Sequence, residues 1–97
     1  MILGVIIQQP TDILDYDVGY DKWFGNDHVD ALQDISVNII PSDGTLDANA
    51  QLSGPEIIKV WIQGGQDGEQ YTVELTATTI AGRSKQNELI VRIQDYQ

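Results

Sequence analysis

Apolar and polar residues alternate with a period of two along most of this chain, and helical spacing is sustained nowhere. In "YTVELTA", Tyr71, Val73, Leu75 and Ala77 fall on one face while Thr72, Glu74 and Thr76 fall on the other. Successive side chains of a strand point to opposite faces, so this is the pattern of a half-buried strand. "ELIVRI" repeats it, with Leu89, Val91 and Ile93 inward and Arg92 outward, and Gly82 in the intervening "TIAGRSK" supplies a turn. The C-terminal quarter therefore reads as a hairpin. "IIKVWI" puts Ile58, Val60 and Ile62 on one side and Ile57, Lys59 and Trp61 on the other. "DISVNII" is a further strand, ended by Pro41 and the Asp43-Gly44 pair, both strong turn formers. "ILDYDV" is another, and "LGVIIQ" is a candidate first strand. The best helical candidate, "NDHVDALQDI", could be capped by Asn26 or Asp27 but would make at most about two turns.

Turn signals at roughly 8 to 12 residue spacing, joined to β-branched and aromatic residues, point to an all-β sandwich. The expectation is one domain, an Ig-like antiparallel β-sandwich of about seven strands over residues 12–97, preceded by an apolar leader or arm over residues 1–11. "DGEQYTV" refines it. Asp67-Gly68 precedes Tyr71, and Val73 follows two residues later, the spacing of the tyrosine corner of immunoglobulin-like sandwiches, with Val73 where antibody domains place a cysteine. A tyrosine at a strand start by chance is the plainer alternative.

The glycines of "VWIQGGQDGEQYTVEL" also raise the question of a phosphate cradle. Such cradles open a helix whose N-terminal amides face the anion. Here a strand follows, no lysine is present, and Asp67 and Glu69 would repel a phosphate. Gly64 and Gly65 read instead as a backbone device that turns the chain, with Asp67 and Gly68 leading into a corner held by Tyr71.

Composition narrows the function classes. The chain has 97 residues, 41% of them hydrophobic and 21% charged, which fits a single globular domain. It has no cysteine, hence no disulfide staple, thiolate metal site or thiol nucleophile. Its formal net charge of −10 argues against a partner such as nucleic acid or an anionic membrane. "MILGVIIQQP" has too short an apolar run and lacks the basic flank of a signal peptide, so a soluble protein made without a secretory route is expected. The charge is uneven: residues 1–34 hold seven acids against Lys22 alone, while Arg83 and Lys85 crowd into the "AGRSK" turn. Such polarity either solubilises a surface or orients a partner.

The candidate chemistry is thin. Asp15, Asp17 and Asp21 of "DYDVGYD" have the look of a calcium loop. Counting from Asp15, however, the places an EF-hand gives to glycine and glutamate hold Tyr20 and Asn26. A solvated acidic face is the simpler reading, with weak calcium binding the alternative. His28 is the only histidine, and no serine sits in a recognisable nucleophile turn, so no catalytic residue, metal site or cofactor is assigned. Trp23, Phe24 and Trp61 are either plugs of the sandwich or anchors of an interface.

With these residues in view, the chain resembles a family of small Ig-like bacteriophage virion proteins described as fibre-tail adaptors or capsid cement proteins. The resemblance rests on "LDYDVGYDKWFGND", "DISVNIIPSDGTL" and "KVWIQGGQDGEQYTVELTATTIAGRSKQNELIVRI", and is most specific from Val60 to Arg83. It implies a non-enzymatic virion structural protein, made in the host cytoplasm and assembling in multiple copies at the neck or tail as an adaptor that seats fibres. Its partners would be other virion proteins and copies of itself. A capsid decoration protein clamping capsid subunits is the alternative within that class. A carbohydrate-binding or adhesin module using Trp23, Trp61 and the acidic loop is the more distant one. The candidate interface comprises Ile2, Val5, Ile6 and Ile7 of the leader, Trp23, Phe24, Trp61, Arg83 and Lys85. An apolar leader, hinged at Pro10, could add a strand to a neighbour through main-chain hydrogen bonds.

Overall fold

A computed structural model describes residues 2–20 and 30–95. The chain runs through seven strands: β1 (Ile2–Gln8), β2 (Ile13–Gly19), β3 (Leu32–Ile40), β4 (Leu46–Leu52), β5 (Ile57–Gly64), β6 (Gln70–Thr79) and β7 (Ser84–Ile93). Among the described residues there is no helix. Of the helical candidate, residues 26–29 lie outside the described part, and Leu32–Ile35 open β3.

The strands form two sheets, a larger one in the order β1-β7-β6-β3 and a smaller one in the order β2-β5-β4. In immunoglobulin lettering the β7-β6-β3 and β2-β5-β4 groups correspond to strands G-F-C and B-E-D. The neighbours pair antiparallel with one exception, since β1 runs parallel to β7. Residues 2–8, within the stretch expected as a leader or arm, thus lie as β1 beside the chain's own β7.

Period-two patterning explains how the two sheets close on each other. Ile58, Val60 and Ile62 of β5 face Tyr71, Val73, Leu75 and Ala77 of β6 and Val91 and Ile93 of β7, and all are fully buried. Each such large side chain contributes about 1.5–3 kcal/mol through the area it removes from water. Ser84–Ile93 completes the hairpin expected at the C-terminal end, folding back on β6 through the turn at Gly82. β4 carries only Leu46, Ala48 and Ala50 inward, yet pairs with β5 along its length. A buried polar pin joins the sheets at the β1 side: Gln8, fully buried, donates from Nε2 to the Ile62 carbonyl at 3.2 Å and accepts from the Tyr16 hydroxyl at 2.6 Å. At the opposite side β3 lies against β4.

Candidate interaction surfaces

Four groups of residues could do something beyond holding the fold. The first is the corner at Tyr71, at the start of β6. Its side chain is fully buried and its hydroxyl accepts from the Gln66 amide at 2.9 Å, donates to Asp43 Oδ2 at 2.7 Å and lies 2.9 Å from Thr45 Oγ1. The turn before β4 is thereby tied to the turn before β6. Gly64 and Gly65, at φ of 80° and 93°, stand behind this corner, and the Gly65 amide donates to the Thr45 carbonyl at 2.9 Å. Gly68 donates to the Ile93 carbonyl, and Asp67 accepts from the Asp95 amide, so that pair fastens the end of β7. The amides of Gly65, Gln66, Gly68 and Glu69 are spent on carbonyls and on a phenol, not held open as an anion cradle.

Asp43 was legible only as a turn former, yet its carboxylate is the hub of the corner. Hydrogen bonds from the Thr45 hydroxyl and amide, then from Tyr71, hold its pKa below the ordinary carboxylate range. The same holds for Asp30, whose side chain is almost wholly buried. Burial pushes Asp30 up, but the Ala81 amide, the Thr79 hydroxyl, the Ala31 amide and Arg83 together outweigh it. Because both folded-state values are depressed, the unfolded chain takes up these protons at higher pH than the folded one. Their stabilisation is therefore intact above about pH 4 and is lost as pH falls through the folded-state values. Relief of the chain's net negative charge acts in the opposite sense, so the difference between wild type and variant isolates one group. Asp43→Asn should be less stable than wild type near neutral pH, with the gap closing below about pH 4. Urea midpoints of both proteins across pH 2–7 measure this; a gap that stays constant would show that the Asp43 charge is immaterial.

The second group is the "AGRSK" turn between β6 and β7. Arg83 Nε lies 3.7 Å from Asp30 Oδ2, while Asp30 Oδ1 accepts from the Ala31 and Ala81 amides at 2.9 and 3.0 Å. The turn is thus tied down onto the start of β3, and Arg83 serves that tie. Lys85 sits half-buried near the start of β7. No local signal in the sequence could have linked Asp30 to Ala81, since the partners meet only when β6 brings them together.

The third group lies on the outer face of the smaller sheet. β5 is its central strand, and Trp61 stands there at 40% exposure with Asp15 of β2 and Asn49 of β4 as its cross-strand neighbours. In the adjoining row Lys59 reaches Asp15 at 2.9 Å and Asp17 at 3.1 Å; on the other side Gln63 donates to Asp47 at 3.1 Å. The Lys59 hydrogen bond, working against desolvation, lowers the Asp15 pKa, and both aspartates raise that of Lys59. An indole is thus presented from a rigid strand inside a polar and mainly acidic surround. Asp15 and Asp17, considered for calcium, face Lys59, and among the described residues no cluster of His, Cys, Asp and Glu could hold a metal ion. Asp21, Trp23, Phe24 and His28 lie outside the described residues.

The fourth group lies on the outer face of the larger sheet. Val5 of β1 sits alongside Ile90, which pairs with Thr72, which pairs with Ile40, giving a mostly apolar row across all its strands. Ile7 lies beside Arg92 in the next row, while Ile6 turns inward and packs against the core. Ile2, also exposed, lies beside Glu88 near the start of β1.

Comparison with known proteins places this geometry. A family model described as "Podophage GP4 fiber-tail adaptor protein gp77" matches residues 8–92. No curated protein matches the chain. The match spans all but the ends, and the chain belongs to the podophage fibre-tail adaptor family. It is a phage structural adaptor, a virion component that interacts with other tail or fibre proteins.

Proposed function

We propose that this adaptor is non-enzymatic, is made in the host cytoplasm and sits in multiple copies at the neck or tail, where its Trp61 face grips a partner so that a fibre is seated. The observation that carries the reading is the family match across residues 8–92. It favours the tail over the capsid surface, the other location weighed from the sequence.

The geometry of the smaller sheet supports Trp61 as an anchor. A large aromatic ringed by polar groups has the composition of a binding hot spot and its rim. Asp15, Asp17 and Asp47 outnumber Lys59 on this face, so the partner surface that fits best carries arginine or lysine. A guanidinium stacked on the indole would gain from the ring's negative face while pairing with a flanking carboxylate.

The test is genetic complementation of a phage lacking the protein. Trp61→Ala should fold normally, because the side chain is half exposed, and yield particles with fibre content reduced at least tenfold, the loss of one hot-spot side chain. Unchanged fibre content would remove Trp61 from the interface. Absence of the protein from purified particles by mass spectrometry would end the adaptor reading itself.

A further inference from the structure

We propose that β1 is the edge along which two copies of this chain pair, antiparallel and about a two-fold axis, so that their larger sheets join into one. Four strands form sheet edges: β1 and β3 in the larger sheet, β2 and β4 in the smaller. An edge exposes unpaired amides and carbonyls, and proteins that must stay apart block it with charge, proline or a covering element. β2 carries Asp15 and Asp17, β3 carries Asp34 and β4 carries Asp47. β3 and β4 also shelter each other. Among the described residues β1 has neither defence. Residues 1–11 contain no charged side chain, in a chain whose remaining residues hold all 15 acids and five bases. Ile2, Val5 and Ile7 of β1 are 59%, 54% and 48% exposed.

The flank of β1 is unfinished on both faces. Outward, the Val5–Ile90–Thr72–Ile40 row runs up to this edge and stops. Inward, Leu14 shares the core-facing register of Ile62 and yet is 43% exposed. A Cβ at Gly4, which pairs with the buried Leu89, would meet nothing within 4 Å. Apart from the Gln8–Tyr16 pin, the seam between β1 and β2 is therefore loosely filled at Gly4 and Leu14, where the β3 and β4 side is closed.

Charge selects the occupant. Two molecules of net charge −10 repel one another over most approaches. At β1 they can meet without a charged side chain on either strand. The two-fold arrangement also sorts the flanking charges. Glu88 lies beside Ile2 at one end of β1 and Arg92 beside Ile7 at the other. Antiparallel pairing brings the Glu88 end of one copy next to the Arg92 end of its mate, about 14 Å away across three strand spacings. Parallel pairing would set like charges together. The same patch on both subunits is what a closed, isologous dimer requires.

The pairing does not depend on which virion partner the Trp61 face meets, and it is tested on the purified full chain. Sedimentation equilibrium should show a concentration-dependent monomer–dimer equilibrium. Val5→Lys should weaken it at least tenfold with an unchanged circular dichroism spectrum, while Ile80→Lys, at the far turn, should leave it unaltered. Because Val5→Lys could disturb β1 itself, amide exchange of wild-type β1 supplies a second measurement and should slow as protein concentration rises. A wild-type protein that stays monomeric to about 1 mM overturns the proposal. So does a dimer indifferent to Val5→Lys, or β1 protection that appears only on adding another virion protein.

Discussion

Gly64→Ala should lower the unfolding free energy by about 3 kcal/mol, and Gly82→Ala should lower it by only about 1 kcal/mol. The two glycines share a left-handed backbone, with φ of 80° and 89°. Any residue with a Cβ pays a similar conformational penalty at either place. What separates them is space. A Cβ at Gly82 would meet nothing within 4 Å, whereas one at Gly64 would be driven into the carbonyl oxygen of Thr45. That oxygen cannot easily retreat, because it accepts the Gly65 amide at 2.9 Å and belongs to the residue that immediately precedes β4 and touches the Tyr71 hydroxyl. Urea denaturation of the two variants against wild type measures the contrast. Equal losses would show that the approach of Thr45 is not a constraint.

Replacing Tyr71 separates a ring from a hydroxyl. Tyr71→Ala should cost about 3–5 kcal/mol, the usual range for deleting a buried aromatic. Tyr71→Phe keeps the ring and removes only the oxygen. It should still cost about 1–3 kcal/mol, because the Gln66 amide loses its acceptor and the corner loses its link to Asp43. For a domain of this size the phenylalanine variant should melt roughly 4–24 °C below wild type. A phenylalanine variant as stable as wild type would reduce the corner to packing alone. A loss equal to that of alanine would mean that the hydroxyl carries everything.

These residues also show what a reader of the sequence can and cannot see. β5, β6 and β7 are plain because large apolar residues alternate with polar ones, so one-dimensional pattern and three-dimensional face coincide. Tyr71 is plain too, because its distances to Asp67-Gly68 and Val73 are fixed along the chain. β4 is not, since Ala48 and Ala50 are too small to announce a buried face, and "LDANAQL" carries no clear strand signal until β5 supplies its hydrogen bonds. The hub role of Asp43 depends on Tyr71, 28 residues away, and that of Asp30 on Ala81, 51 residues away. The direction of β1 is equally hidden. An uncharged alternating segment could pair with any edge in either sense, and only the fold shows that it runs parallel to β7. The Trp61 surround could be half anticipated: the outward parity of Lys59 and Trp61 was visible, but their aspartate neighbours on β2 and β4 were not.

The parallel pairing of β1 with β7 has a mechanical side. Ile2 lies beside Glu88 and Gln8 beside Ile93, so β1 and β7 overlap while the start of β1 and the end of β7 point in opposite directions. Tension applied between the two ends of this strand pair therefore runs along the strands and across the backbone hydrogen bonds between them, loading those bonds together in shear instead of peeling them open one at a time.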